Sequence, residues 1–160
     1  MSDKMIALVG QIKFHSKLIK NVVVDVTDEI SVSRPKDDMN HIAWLAGHLM
    51  SSRVMMANCY GVQYEQPFID IFGKGQGYLP EVTYPSMSEI MNGFDDLSKK
   101  LEDAVENASD ETINAKAPFP CPTGDTMFDF LIMMNHHEAY TIGQIGILRK
   151  YFGLKGMSYS

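Results

Sequence analysis

The sequence has few cysteines, no concentration of positive charge and no long apolar run. Its two cysteines, Cys59 and Cys121, cannot form a disulfide framework and match no zinc-binding spacing, so we expect two reduced thiols. The net charge is −6, and no basic cluster is longer than Lys99–Lys100. Nucleic acids and anionic membranes both require clustered cations, so neither is an expected partner.

Apolar residues nowhere continue for the roughly 18 positions that a membrane-spanning helix needs. The apolar run at the N-terminus is also too short for a signal peptide, so we predict a cytoplasmic protein. The length of 160 residues, with 45% apolar and 21% charged residues, is typical of one soluble domain covering residues 1–160.

Sustained period-2 alternation is lacking, whereas four segments show the i, i+3, i+4, i+7 apolar spacing of amphipathic helices. The predicted helices cover residues 3–27, 41–60, 86–107 and 125–151. Asn40 is the expected N-cap of the second helix, and Ser86 with Glu89 forms a capping box at the start of the third. We therefore predict an all-α, up-down four-helix bundle with a long loop between helices 2 and 3.

The connections are predicted from their turn-forming residues. A linker is expected over residues 31–39, and residues 61–85 form a long irregular segment with a short helix at 66–72. The glycine-rich stretch 73–77 lacks the preceding strand and the GK[ST] ending of a phosphate loop, so it indicates a flexible lid or turn. A short helical turn is expected at 109–114, and no regular structure between the prolines at 118, 120 and 122.

Polar side chains interrupt the apolar pattern of the last helix, DTMFDFLIMMNHHEAYTIGQIGILRKY. They are His136, His137, Glu138, Thr141 and Gln144. Polar groups in a core stripe cost free energy unless a partner satisfies them. His137 and Thr141 lie one turn apart on the inward face, so this helix is the first place to look for a functional site.

Three further histidines lie upstream. His48 is deep in the second helix, between Leu45 and Ser52, whereas His41 is in its first turn and is expected to be solvated. His15 falls on the buried stripe of the first helix, where a hydrogen-bonded core histidine is expected. Inward histidines on facing helices can build a metal site, since imidazole suits zinc, nickel, iron or copper. By spacing alone, a satisfied core histidine is the alternative.

The segments HHEAYTIGQIGILRKYFGL, AWLAGHLMSSR and YPSMSEI resemble the DinB-like (YfiT-like) superfamily of four-helix bundles. The resemblance implies three histidines around a divalent metal, one on the second helix and two on the last. The first family position falls on His48 and the second on His137. The third falls on Thr141, whose neutral hydroxyl is a poor zinc or nickel ligand compared with imidazole.

This departure leaves three interpretations of the site. His48 and His137 bind metal with a substitute ligand, which is Glu138, His136, His15 or a water molecule. Alternatively, the metal is lost and the two histidines form a polar pocket with Thr141. In the third interpretation, the histidines serve only packing.

The resemblance also implies a range of activities. Relatives include enzymes that use a low-molecular-weight thiol such as mycothiol or bacillithiol, and others known only as damage- or stress-inducible. We therefore expect a transferase or hydrolase that uses a divalent metal (zinc or nickel) and a thiol, with Glu138 as candidate base or orienting residue. The alternative is a non-catalytic bundle that binds a small ligand. A homodimer is expected from the family, and the acidic charge opposes DNA contact.

Overall fold

Four long helices form the body of the molecule in this computed structural model, which describes residues 3–73, 75 and 77–159. The elements, in chain order, are α1 (Asp3–Val23), α2 (Asp28–Ser31), α3 (Ile42–Cys59), α4 (Ile69–Phe72), α5 (Met87–Met91), α6 (Phe94–Glu106), α7 (Asp110–Asn114), β1 (Lys116–Cys121), β2 (Gly124–Thr126) and α8 (Met127–Tyr151). The predicted all-α four-helix bundle is confirmed, and its helices are α1, α3, α6 and α8. Residues 74 and 76 of the predicted glycine-rich turn lie outside the described residues.

The apolar stripes of the four long helices meet in a shared core, as the periodicity predicts. Each of α1 and α3 packs against both α6 and α8, so α1 and α3 occupy opposite corners of the bundle. The core includes Val9, Ile12, Ile19, Leu45, Leu49, Met56, Leu97, Leu101, Phe130, Leu131 and Ile145. Among the helices that the structure describes, none combines the length and the hydrophobicity needed to cross a membrane.

Contacts between the helices give their directions. Lys13 pairs with Glu106 and Lys20 with Asp95, so α1 and α6 are antiparallel. The Ser52–His137 and Tyr60–Met127 contacts make α3 and α8 antiparallel. His15 contacts Glu138, and Arg149 donates to the carbonyl oxygen of Val22, so α1 and α8 are parallel. The long helices therefore run up, down, down and up, so the predicted up-down alternation is wrong for the directions of α6 and α8.

The connection 61–85 explains why α3 and α6 run in the same direction. The amide of Gln66 donates to the Ser51 hydroxyl (2.6 Å), and Phe72 packs against Gly47. Tyr78 and Tyr84 then contact the ring of His41, which precedes α3. Since each successive contact lies nearer the beginning of α3, the connection returns the chain to that end of the bundle, where α6 begins.

Two of the predicted helices differ from the structure. The predicted helix 86–107 begins at the expected Ser86–Glu89 capping box but is divided into α5 and α6 by Gly93, whose φ of 76° is in the left-handed region. The first helix ends at Val23 rather than at residue 27, because Asp25 also adopts a positive φ (61°).

The segment between α7 and α8 is a short hairpin, so the prediction of no regular structure there was wrong. Strands β1 and β2 are antiparallel, with Lys116 opposite Thr126 and Cys121 opposite Gly124. The prolines of β1 lack a backbone N–H, but an edge strand can accommodate them where that donor is not needed. The hairpin packs against α8 and leads directly into the Thr126–Asp129 capping box that starts it.

Candidate functional site

The two histidines that the sequence singled out lie side by side in the structure. His48 is near the middle of α3, His137 near the middle of the antiparallel α8, and their ring centroids are 4.9 Å apart with planes at 81°. Both side chains are partly buried, so each ring keeps some contact with solvent. The α3–α8 groove thus holds two imidazoles within reach of one small ligand.

Each of the two rings has a further neighbour that restricts its orientation. The indole of Trp44, one turn before His48 on α3, stacks on the His48 ring with a centroid distance of 4.9 Å and an angle of 12°. The hydroxyl of Ser52 lies 3.4 Å from Nε2 of His137. The His48 ring therefore lies against the indole of Trp44 and the imidazole of His137.

The surroundings of both imidazoles favour their neutral forms. Burial lowers the pKa of His48 to about 4, and the neighbouring His137 adds to this effect. Burial also lowers the pKa of His137, with the charge of Glu138 opposing the shift and His136 reinforcing it. A neutral imidazole has a free lone pair, and this is the form that binds metal ions.

Thr141, at the third family position, directs its hydroxyl elsewhere. The residue is 1% exposed, and Oγ1 donates to the backbone carbonyl oxygen of His137 at 3.0 Å. This is the i to i−4 bond that threonine commonly makes inside a helix. The hydroxyl hydrogen is therefore used within α8 and is not directed at either imidazole.

The substitute ligands considered from the sequence do not join the pair. His136 is exposed, whereas His15 and Glu138 are buried and contact each other in the core. Across residues 3–73, 75 and 77–159, no group of three or more His, Cys, Asp or Glu side chains is arranged to hold a metal ion.

The separation of the two rings can be compared with that of two imidazoles on one metal ion. Two imidazoles on one zinc ion, with metal–nitrogen distances of about 2.0–2.1 Å, have ring centroids roughly 5 Å apart, close to the separation seen here. The described protein side chains do not supply the third family ligand.

Glu138 lies beneath this pair in a buried charged network that the sequence reasoning missed. Arg53 Nε donates to Glu138 Oε1 at 2.7 Å, and Nη2 donates to Oε2 at 3.2 Å. His15 Nδ1 lies 3.1 Å from Oε2, and both Arg53 and Glu138 are 0% exposed. Both carboxylate oxygens are therefore engaged inside the protein, which favours the orienting role of Glu138 over the role of base.

Arg53 joins all four long helices. Besides Glu138 on α8, its Nη1 donates to Ser16 on α1 and to Ser98 on α6, each at 2.8 Å. Burial alone raises the pKa of Glu138, but the Arg53 guanidinium and the hydrogen bonds from His15 and Arg53 outweigh it and hold that pKa below its usual value. Glu138 is therefore a carboxylate, as a buried ion pair requires.

His41 is buried rather than solvated, so the expectation for this residue was wrong. It is the N-cap of α3 in place of Asn40: Nδ1 accepts a hydrogen bond from the backbone N–H of Trp44 at 3.0 Å. Its ring lies edge-on to Tyr84, with a centroid distance of 4.3 Å. The long connection therefore packs on the same end of α3 that carries Trp44.

A cavity of about 230 Å³ lies farther along the α3–α8 groove, toward the beginning of α3. Leu45, Gln144 and Leu148 line it together with residues 38–40. Leu45 precedes His48 by three residues and Gln144 follows His137 by seven, so the cavity is about one helical turn from His48 and about two turns from His137. It offers room for a small molecule beside them.

Comparison with known proteins agrees with the architecture. A search of curated proteins gave no match to the chain. A family model described as the DinB superfamily matches residues 11–145, a span that contains His48, Arg53, His137 and Glu138. The match covers most of the 160 residues, including the greater part of all four long helices. The chain therefore belongs to the DinB superfamily.

Proposed function

We propose that His48 and His137 bind a divalent metal ion, zinc or nickel, and that water or a small-molecule ligand completes the coordination. The protein would then be a metal-dependent transferase or hydrolase acting on a low-molecular-weight thiol or its adduct. One observation carries this proposal: two imidazoles whose surroundings keep them neutral lie 4.9 Å apart in a groove that solvent reaches. Membership in the DinB superfamily supports it.

The residues around the pair have distinct roles in this proposal. A bound divalent ion supplies Lewis acidity, which lowers the pKa of a coordinated thiol or water. His48 and His137 hold the ion, while Trp44 and Ser52 restrict the orientations of the two rings. The cavity beside Gln144 has room for the body of a small substrate.

Metal analysis of the purified protein tests the proposal, with His48→Ala and His137→Ala as controls. We expect zinc or nickel to bind the natural chain and to be lost from both variants, because one imidazole alone is a weak site. If the natural chain binds less than about a tenth of an equivalent of metal after metal loading, and the variants bind the same amount, the proposal is contradicted.

The second candidate function is a non-catalytic bundle that binds a small ligand without metal. The Thr141 hydroxyl bond into its own helix favours it, since the third family ligand is missing. In the same experiment, Thr141→His separates the two candidates. A non-catalytic bundle should bind metal only in the Thr141→His variant. Equally tight metal binding by the natural chain would contradict this second candidate.

We also propose that the protein acts on its small-molecule substrate as a cytoplasmic homodimer. The outer face of α8 supports this, since Tyr140, Ile147 and Tyr151 leave large apolar groups in solvent, with Ile147 68% exposed. A monomeric mass in light scattering at micromolar concentration contradicts the dimer.

A further inference from the structure

The buried charges beneath the imidazole pair lie at positions adjacent in sequence to the site. Arg53 directly follows Ser52, whose hydroxyl is near His137, and Glu138 directly follows His137. Consecutive helical residues point about 100° apart, so one member of each couple faces the groove and the other faces the core. The bond between Arg53 and Glu138 in the core therefore constrains Ser52 and His137 in the groove.

The Arg53–Glu138 bond is suited to fix helix register. The guanidinium contacts the carboxylate through two nitrogens, at 2.7 and 3.2 Å, and this forked arrangement has a narrow range of acceptable geometries. A slip of α8 along α3 by one residue would displace the carboxylate by about 1.5 Å along the helix axis and break the fork. The slip would also leave a buried charge unpaired, which is strongly destabilising.

The other contacts make the register a property of the whole bundle. Arg53 also donates to Ser16 and Ser98, and His15 contacts the second oxygen of Glu138. Movement of any of the four long helices against the others therefore strains the same cluster. Apolar packing alone is less selective, because apolar contacts are non-directional.

We propose that the Arg53–Glu138 pair is a positioning device that sets the spacing of His48 and His137. Both residues act through the imidazoles and do not contact a ligand themselves. The consequence for metal binding rests on the proposed function, but the geometric claim does not. Without the pair, the bundle keeps its fold while α3 and α8 lose their fixed register.

The double variant Arg53→Met/Glu138→Leu tests this claim, since a buried ion pair can often be replaced by apolar residues of similar volume without loss of stability. Circular dichroism and cooperative unfolding report the fold. A nuclear Overhauser effect between the ring protons of His48 and His137 reports their spacing without metal. We expect a folded variant in which this signal is lost and zinc affinity falls about tenfold or more.

The matched control is Lys13→Gln/Glu106→Gln, which removes an exposed ion pair between α1 and α6. It should leave both the ring–ring signal and zinc affinity unchanged, as expected for a surface pair. If the natural protein binds no zinc, the proposed function fails, while the ring–ring signal still decides the positioning claim.

A folded double variant that keeps the ring–ring signal overturns the proposal. If the double variant does not fold, the single variants Glu138→Gln and Arg53→Lys decide, since each keeps most of the side-chain volume but loses the charged fork. A clear loss of the signal in either folded single variant supports the positioning role. Retention of the natural signal in both overturns it.

Discussion

Thr141 occupies the third family position, but its hydroxyl is bonded within α8 and not directed at the imidazole pair. Its hydroxyl donates to the His137 carbonyl oxygen, which also accepts the regular helical bond from the Thr141 N–H. The carbonyl therefore keeps a donor if the hydroxyl is removed. Thr141 contributes packing and a local bond, while the two imidazoles keep their own orientations through Trp44 and Ser52.

Thr141→Val is accordingly expected to be mild. The replacement keeps the shape and removes one hydrogen bond, so unfolding free energy should change by less than about 1 kcal/mol, as measured by chemical denaturation. Zinc binding should remain at the natural level. A loss of binding in this variant would mean that the hydroxyl reaches the ion, and would reverse the assignment made here.

The individual residues of the candidate site were only partly predictable from the sequence. Spacing along single helices placed His48 and His137 on inward faces, because that information is local. The Arg53–Glu138 bond joins residues 85 positions apart, and it depends on which helices become neighbours. One signal was available for Arg53, since a permanently charged side chain in the apolar stretch MSSRVMMA requires a buried partner.

At the scale of elements, α3 is positioned by contacts that its apolar pattern does not contain. His41 replaces the predicted Asn40 as N-cap, because imidazole Nδ1 can accept from a backbone N–H when the ring is neutral. Gly47 admits the ring of Phe72, since a Cβ at this position would lie 2.3 Å from it. Periodicity predicted that α3 exists, but close contacts with a later segment determine these details.

Gly47→Ala should therefore loosen the long connection. Alanine favours the helix by about 1 kcal/mol, but its methyl group cannot coexist with Phe72 in the present position. We expect faster hydrogen exchange and proteolysis within residues 61–85 while the bundle remains folded. Gly10→Ala in α1 is the control, since a Cβ there meets no atom within 4 Å and should not alter the connection. Unchanged protection of 61–85 in Gly47→Ala would contradict this account.

In the whole molecule, the directions of the helices are not determined by their amphipathic patterns alone. Each stripe identifies the buried face of a helix, but it is equally consistent with either direction along the bundle axis. The direction of α6 follows from the path of residues 61–85, through the contacts of Gln66, Phe72 and Tyr84 along α3. These contacts are individually small and come from an irregular segment, so the sequence indicated a long connection without its course.

The same compact arrangement makes the metal-free molecule sensitive to mild acid. Burial lowers the pKa of both His41 and His48 to about 4, whereas each is near 6.5 in the unfolded chain. Between these values the unfolded state binds more protons, so stability is full above pH 6.5 and falls as the pH approaches 4. Each histidine contributes a slope of at most about 1.4 kcal/mol per pH unit.

Chemical denaturation of the metal-free protein at pH 7 and pH 5 measures this loss. Glu138 does not produce it, since its lowered pKa keeps its contribution intact until the pH falls below the usual carboxyl range. His41→Asn keeps an N-cap side chain but removes one titrating group, so the loss between the two pH values should become smaller, while His48 and His137 still contribute to it. Equal stability of the natural protein at pH 7 and pH 5 would show that the fold does not hold His41 and His48 in their neutral forms.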